Sequence, residues 1–481
     1  MYKSISDTKY QKNLQFMFLK LLHYVVAVTL FAFAWFFFRY RGIPAEVGRG
    51  FRYNFFTIAL YALLLFFFNR TYNSYLLGYS RIRALTFAQF LSQLFSTIIV
   101  YFIVSIAWAK FRNPISFFIV LVPQLFLDAL WSYFGNGYYF KVNPPRKTIL
   151  IYRNALDRKR IGSIKGKPTE RLYHIEEELQ YDGYSFQAIR EKLSGFDAVF
   201  VAGVHSRCRN GIAKYCKEEG IPGFFLPHIG DVIMQEAHHI QSFDSPVLFV
   251  DRKSLRPEYV IGKRLFDIVT SFCAIILLSP CLLLTALVIR LYDGGPAIYK
   301  QTRLTQDGRE FIIYKFRSMR VDAEKDGVAR LSTGENDERI TPIGRIIREI
   351  RLDELPQLIN ILKGDMSVVG PRPERPEIAE KYCEYLPDFK LRLQVKAGLT
   401  GYAQVYGKYN IDPYEKLEFD LLYINDMSFI TDLKLIFATF GILFSKKSTE
   451  GVSVNSLTAM DYDNEQFRAD DSSALSDYWI N

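Results

Sequence analysis

Cysteine is scarce in this chain, and its five copies, Cys208, Cys216, Cys273, Cys281 and Cys383, never fall in a C-x-x-C spacing. That excludes a disulfide scaffold and a structural zinc site, and it favours a reducing compartment. Histidine is nearly as scarce: His23, His174, His205, His228, His238 and His239, with none beyond position 239. Chemistry carried by the C-terminal half must therefore run on carboxylate, lysine, arginine or metal, without imidazole as base, nucleophile or ligand. Glycine and proline are too few for a collagen-like repeat. Low hydrophobicity is absent as well: 49% of the residues are apolar, with 41 Phe and 31 Tyr, which excludes a disordered chain. What remains is a 481-residue chain long enough for two or three domains. Its net charge of +10 points to anionic partners: phosphates, nucleic acid or acidic lipid.

The first 140 residues read as membrane. Leu21–Phe38 is an uncharged run long enough to span a bilayer, Tyr53–Phe68 a shorter second span and Ala84–Ala109 a third. Asn113–Phe134 is a fourth, interrupted by Pro123 and Asp128. Lysines in the N-terminal segment do not suit a cleavable signal peptide. Basic residues flank both of the first two loops, so charge alone does not orient the bundle. Asp128 reads either as a functional intramembrane carboxylate or as a polar group near a span end that faces the bundle.

Pro144-Pro145 marks a break. Strands are expected at Thr148–Tyr152, Asp197–Ala202, Gly223–Leu226 and Val247–Val250, and helices at Ser185–Leu193 and Arg207–Glu219. This alternation implies a small parallel α/β sheet. A dinucleotide site would need a glycine-rich turn after the first strand, but that turn reads Arg153-Asn154-Ala155-Leu156. The domain is therefore read as structural or regulatory. His238-His239 is read as a surface loop pair, with metal binding as the alternative.

The C-terminal third carries the chemistry. Ile268–Ile289 is a fifth apolar run, broken in its middle by Ser279-Pro280. Proline removes a helical hydrogen bond, so two half-helices entering and leaving one leaflet compete with a full span. Tyr299–Arg320 is basic, with Lys300, Arg303, Lys315 and Arg317, and Phe311–Phe316 is strand-like. Thr341 and Pro342 make an N-cap and first helical position, and Ile343, Ile346, Ile347 and Ile350 share one face. A second helix is expected from Asp353, with Pro356 in its first turn and Gly364 at its end. Asp353 and Glu354 would then sit at a helix start, which favours both anions and a bound phosphate. Two readings follow: a cap and dipole partner, or a nucleophile and metal pair at which an ionised Asp attacks phosphorus. Arg372, held between Pro371 and Pro373, is preorganised for a phosphate.

In order along the chain come K-R-L-F-D (263–267), S-P (279–280), K-Q-T-R (300–303) and Y-K-F-R-S-M (314–319). L-D-E-L-P-Q-L (352–358), G-D-M-S-V-V-G-P-R-P (364–373) and G-L-T-G-Y-A-Q-V (398–405) follow. With these motifs, Lys263 to about Phe444 resembles the bacterial sugar transferases, the monotopic polyprenyl-phosphate phosphoglycosyl transferases. The rest of the chain resembles the long members of that family. The fold class expected is an α/β membrane protein. A four-helix transmembrane bundle (1–140) precedes a degenerate Rossmann-like parallel domain (145–252). A mostly helical catalytic domain (260–448) follows, with a re-entrant helix (265–290) that breaks at Ser279 and Pro280. An acidic, disordered tail (449–481) closes the chain.

The resemblance implies transfer of a sugar 1-phosphate from a UDP-sugar to undecaprenyl phosphate, with release of UMP and a requirement for Mg²⁺. Asp353 would be the nucleophile of a covalent intermediate and Glu354 its partner, the two together holding the metal. Lys315, Arg348 and Arg372, with Arg303 and Arg317, would hold phosphates. Pro371 and Pro373 would lie near the nucleotide or sugar; Gln404, Asp420 and Tyr402 either line that sugar or uridine site or take core or surface roles. The segment after 398 looks like exopolysaccharide and capsule enzymes that begin a repeat unit with a hexose 1-phosphate, glucose or galactose. Expected partners are the UDP-sugar, undecaprenyl phosphate and the lipid of the bacterial cytoplasmic membrane, with the catalytic domain facing the cytoplasm. A homodimer is a further expectation, and nucleic acid is not expected. The rivals are a membrane nucleotide-sugar dehydratase, a ten-span phosphosugar transferase with an Asp-Asp motif, and a polysaccharide-assembly scaffold without activity. The first lacks its glycine loop here and the second its spans and motif.

Overall fold

The computed structural model describes residues 2–42, 51–107, 113–161, 168–183, 185–240, 247–250, 257–321, 339–407 and 412–443, with residues 109, 111, 323 and 337. The acidic tail lies outside the described residues, as do the side chains of His238 and His239. Contacts divide the chain into two compact units, Met1–His228 and Ile229–Asn481. The α/β domain was expected to run on to residue 252.

The first unit begins with helices α1 (Tyr2–Gly42), α2 (Phe51–Thr71), α3 (Ile82–Ala107), the single turn α4 (Ile115–Phe118) and α5 (Leu121–Val142). α1 over Gln11–Phe37, α2 over Tyr53–Thr71 and α3 throughout are long and apolar enough to cross a membrane. Leu22, Phe33, Leu63, Phe66, Ile106 and Phe126 point outward. Ala27, Phe31, Tyr61, Leu65, Val100 and Val104 form the apolar part of the interior. α5 packs on α3 and α1 but starts eight residues later than the fourth expected span. The reason is the direction in which its polar residues face. Gln124, Asp128, Ser132 and Asn136 recur every four residues, lie on one face, and are all buried in the bundle. A window that seeks apolar residues slides off such a helix. Pro123 does not interrupt it, because it falls in the first turn, where no backbone donor is needed. Asp128 lies in the middle of α5 rather than near its end.

A four-stranded parallel sheet follows, in the order β2 (Tyr173–Gln180), β1 (Arg146–Tyr152), β3 (Ala198–Ala202), β4 (Gly223–Phe225). Helices α6 (Ala155–Ile161), α7 (Phe186–Leu193) and α8 (Ser206–Glu219) connect the strands. Ile149, Ile151, Val199 and Val201 pack against Ile189, Leu193 and Ile212. The strand β2 escapes sequence reading because it is an edge strand rich in glutamate, whose charges face outward. The turn after β1 is tied by its own side chain, with Asn154 Oδ1 accepting from Asp157 N at 2.8 Å. The Asp157 carboxylate then lies over Gly203, where a Cβ would come within 1.9 Å of its Oδ2. An anion therefore already fills the crevice at the carboxyl ends of β1 and β3, where open parallel sheets usually take ligands.

The second unit opens with α9 (Ile229–Gln235), which packs on α15 (Pro413–Asn425). The expected strand near 247 pairs antiparallel in a hairpin, β5 (His238–Ile240) with β6 (Val247–Phe249), and is not part of the parallel sheet. Next comes α10 (Pro257–Asp293), then the antiparallel pair β7 (Ile298–Leu304) and β8 (Glu310–Phe316). The remaining elements are α11 (Pro342–Glu349), α12 (Gln357–Lys363), β9 (Ser367–Val369), α13 (Pro376–Tyr385), β10 (Gly398–Thr400), α14 (Tyr402–Tyr406), α15 and α16 (Phe429–Leu443). β9 and β10 pair in parallel. The core joins Val369, Ile378, Phe389, Leu417, Leu421 and Tyr423.

α10 is one helix of 37 residues where the sequence suggests two halves. Pro280 has no N–H to give the Ile276 carbonyl, and Ser279 supplies the missing donor, its Oγ reaching Ile276 O at 2.8 Å. One face of α10 is held along its length by the second unit. Arg264 donates to the carbonyls of Ile361 and Leu362 at 2.6 and 2.7 Å, and Asp267 accepts from Val368 N at 3.1 Å. Ala274 and Ile275 pack on Phe311 and Leu358, and Leu282, Ala286 and Ile289 on Phe316 and Ile347. The other face exposes Val269, Phe272, Ile276, Leu277, Leu284 and Leu291.

Candidate active site

α11 begins as expected: Thr341 Oγ1 accepts from Gly344 N at 2.9 Å, with Pro342 at the first position. Gly344 is needed there because a Cβ would come 1.9 Å from the Ser318 carbonyl oxygen. Ile347 is buried, whereas Ile346, and Ile350 just past the end of the helix, are exposed. The chain then turns sharply at Arg351, in a left-handed conformation (φ 54°), and makes a single 3₁₀ turn over Leu352–Glu354.

α12 starts only at Gln357, and neither Asp353 nor Glu354 caps it. Pro356 cannot donate to Leu352, so the segment bonds in i→i+3 fashion before the α-helix takes over. The helix-start argument for these carboxylates therefore fails, and their neighbours set their chemistry. The end of α12 is as expected, with Gly364 in the left-handed region (φ 93°). Asn360 locks α12 to β8, donating to Ile312 O at 2.7 Å and accepting from Tyr314 N at 3.0 Å. That contact places Lys315, the next residue on β8, beside the 3₁₀ turn.

The two carboxylates differ. Glu354 is buried and faces three cations: Arg372 Nη2 at 2.5 Å, Lys315 Nζ at 3.5 Å and Arg351 Nη1 at 3.9 Å. Burial alone would raise its pKa, but Arg372, then Lys315 and Arg351, hold it well below the usual carboxylate range. Asp353 has no hydrogen-bond or ion-pair partner among the described residues. Burial and then the Glu354 charge push its pKa up to about 6, against the pull of Lys315, Arg348 and Arg372. Burial likewise lowers Lys315 to about 8, with Glu354 opposing. Asp353 is thus an uncommitted carboxylate beside a cationic cluster, and Glu354 is the anion that organises the cluster.

The Arg372 segment is fixed from behind. Gly370 N donates to Thr400 O and Gly398 N to Pro371 O, both at 2.8 Å. Gly370 and Gly398 face each other so closely that a Cβ on Gly398 would lie 2.0 Å from Gly370 N. Arg303 donates to Pro373 O at 3.2 Å and to Gln301 Oε1 at 2.6 Å, and its buried Nε has no partner. Burial, then Arg372 and Arg375, lower the Arg303 pKa to about 10. Arg392 donates to the Arg372 carbonyl at 2.8 Å and pairs with Asp420 at 2.6 Å, both side chains almost wholly buried. Glu374 bonds Lys416 on the same side.

Asp353, Glu354, Lys315, Arg348, Arg372 and Arg303 therefore come together, with Pro371 and Pro373 bracketing Arg372. Two candidate members do not join them. Arg317 is buried against Asp293 at the end of α10, where it ties that helix to the end of β8. Asp420 is buried against Arg392 one layer behind Arg372, which is the core role among its two expected ones. Tyr402 bonds Asp426 at an exposed position. Gln404 remains: both its amide atoms are buried without partners, beside the Gly370 and Gly401 backbone. Sequence reasoning missed Arg392, Glu374 and Lys416, and no local pattern announces them. A divalent metal held by both Asp353 and Glu354 does not fit, because three cations already occupy Glu354. Asp353 alone fits, as a single-carboxylate contact completed by phosphate oxygens.

Residues 258–446 match the family model described as bacterial sugar transferase. The chain is 41% identical over 202 residues to the UDP-glucose:undecaprenyl-phosphate glucose-1-phosphate transferase of Escherichia coli K12, covering 41% of each chain. It is 40% identical over 186 residues to the UDP-N-acetylgalactosamine-undecaprenyl-phosphate N-acetylgalactosaminephosphotransferase of Aeromonas hydrophila, covering 38% of this chain and 44% of that one. It is 41% identical over 189 residues to the exopolysaccharide production protein PSS of Rhizobium leguminosarum bv. phaseoli, covering 37% of this chain and 94% of the relative. The chain thus spans under half the length of the two longer relatives and nearly all of the shorter one.

Proposed function

The chain belongs to the bacterial sugar transferase family, and from that premise we propose that it transfers a sugar 1-phosphate from a UDP-sugar to undecaprenyl phosphate, releasing UMP. The observation that carries the proposal is the split between Asp353 and Glu354, one carboxylate uncommitted and its neighbour held by three cations. In this reading an Asp353 oxygen attacks the sugar-bearing phosphorus. The bond from that phosphorus to the bridging oxygen breaks, and UMP leaves with the oxygen and its electron pair. A phosphate oxygen of undecaprenyl phosphate then attacks the aspartyl phosphosugar, and the Asp353 carboxylate is restored.

Arg372, Lys315 and Arg348 neutralise the diphosphate, with Arg303 behind them. Glu354 fixes the directions of Arg372 and Lys315. Asp353 would also hold Mg²⁺, which would supply further charge neutralisation when bound. The unsatisfied Gln404 amide, a donor and an acceptor side by side, suits the imide edge of uracil. The donor sugar is proposed as a hexose, glucose or galactose, and the reaction as the first membrane step of an exopolysaccharide or capsule repeat unit.

α10 is proposed to bend at Pro280, so that its exposed face enters the membrane from the cytoplasmic side and returns. The support is that a single compact unit packs on α10 from Arg264 to Ile289, about 38 Å along the axis. A full crossing would drag β8 and α11 through the lipid. The test is UMP release by the full chain with Mg²⁺ across a panel of UDP-sugars. With one sugar and no lipid acceptor, one equivalent of UMP is expected, and none from Asp353→Asn. UMP that appears only when donor and acceptor are both present would overturn the covalent route.

A further inference from the structure

Tyr259, Lys263 and Asp267 stand one turn apart on a single stripe of α10, and each ends in a bond to the second unit. Asp267 is buried and takes Val368 N directly, at 3.1 Å. The other two reach the next residue of β9 through side chains. Lys263 Nζ donates to Asp432 Oδ2 at 2.6 Å, and Tyr259 Oη donates to the same oxygen at 3.3 Å. The second carboxylate oxygen, Asp432 Oδ1, accepts from Tyr423 Oη at 2.8 Å. The same hydroxyl lies 3.1 Å from Val369 O. Asp432 on α16 and Tyr423 on α15 are both almost wholly buried.

What these bonds share is the strand they end on. Val369 runs straight into Gly370, Pro371 and Arg372. β9 is three residues long and has one partner strand, to which Ser367 N and Gly370 N donate at 2.8 Å. A pair of strands this short does not hold itself in place. Side chains from α10, α15 and α16 supply the rest of the grip, on two adjacent residues just ahead of Arg372. The Tyr423 hydroxyl has one proton for two acceptors. Lys263 offsets the charge of Asp432 and so reduces its claim on that proton.

From this we infer that Tyr423 and Asp267 are positioning residues for Arg372, and that Asp432, Lys263 and Tyr259 tie them to α10. They fix the strand from which the Arg372 guanidinium reaches Glu354, at 2.5 Å, and faces the substrate phosphates. A planar fork engages phosphate oxygens only over a narrow range of directions, so a small displacement of its strand is costly in rate. The inference rests on the transfer reaction proposed above, in which Arg372 neutralises the diphosphate.

The test is a double-mutant cycle on kcat/KM for UMP release by the full chain in nanodiscs, with Tyr423→Phe, Arg372→Lys and the two combined. Tyr423→Phe is expected to lower kcat/KM about tenfold in the parent and less than about twofold beside Arg372→Lys, because a lysine has no fork to misdirect. Equal losses in the two backgrounds, or no loss in the parent, would overturn the inference and give the hydroxyl proton to Asp432 alone. Amide hydrogen exchange without substrate is the second measurement. Exchange at Gly370 and Arg372 is expected to quicken about tenfold in Tyr423→Phe, and in Asp267→Ala where Tyr423→Phe does not fold. Unchanged exchange would overturn the inference whether or not any UDP-sugar reacts. Faster exchange in a chain whose parent releases no UMP would keep the hold on Arg372 and overturn the transfer reading instead.

Discussion

Asp353, the proposed nucleophile, should also be a stability liability. Its folded-state pKa is about 6, against an ordinary 3.8, because burial and the Glu354 charge disfavour the anion. A carboxyl whose pKa is raised on folding contributes its full stabilisation below the unfolded value and loses it as pH rises through the folded one. Two pKa units correspond to about 3 kcal/mol at pH 7, roughly half of that at pH 5 and under about 1 kcal/mol at pH 4. Asp353→Asn removes the charge and keeps the shape. It should raise the unfolding temperature at pH 7 by roughly 5 °C or more, taking about 2–4 °C per kcal/mol for a unit of this size. The gain should shrink as pH falls to 5 and nearly vanish at 4, while UMP formation is lost. Unfolding scans of both proteins at the three pH values measure this directly. A variant less stable than the parent, or a gain that does not depend on pH, would refute the electrostatic account of the site.

Asp353 and Lys315 should set a bell-shaped profile of kcat/KM, with activity falling below about pH 6 as Asp353 protonates and above about pH 8 as Lys315 loses its proton. Glu354→Gln should lower activity at least ~100-fold by releasing Arg372 and Lys315, and it should move the acid limb to lower pH because a like charge beside Asp353 is gone. An acid limb that stays in place would show that Glu354 does not act on Asp353. Asp420→Asn leaves Arg392 buried and short of its counter-charge, and should cost about 3–5 kcal/mol in denaturant unfolding. Ser279→Ala strips the substitute donor from the Ile276 carbonyl and should cost about 1–2 kcal/mol, read as a lower unfolding temperature in nanodiscs, with Ser279→Thr restoring most of it.

The site was legible wherever its members share a short motif. Asp353-Glu354, Lys315 in its aromatic strand and Arg372 between prolines each carry a local signature, and the structure brings them together. One error came from treating proximity in sequence as proximity in space. Arg317 follows Lys315 by two residues, yet it lies past the end of β8 and turns to Asp293. Asp420 was grouped with Gln404 and Tyr402 as lining the sugar or uridine site or taking a core role, and the core role is the one the structure shows. Its partner, Arg392, is 28 residues away, and no spacing rule joins them. The start of α12 was misplaced because Pro356 suits a first α turn and a 3₁₀ turn equally well. The fourth expected span was misplaced because a hydropathy window averages all faces of a helix, and α5 keeps a polar side for the interior.

Arg264 lies on α10, the anchor of the proposed reading, yet its guanidinium holds the final carbonyls of α12, the helix that begins four residues after Asp353. On the proposed reading the anchor therefore works as a height gauge. A phosphate carried on a lipid floats at a level fixed by its own headgroup, and a soluble nucleotide brings no level of its own. The nucleophile has to be held at the lipid phosphate's level. A rigid bond from anchor to helix transmits that level to Asp353 with little slack, so bilayers of different thickness or headgroup size should change the rate of the second transfer and leave the first untouched.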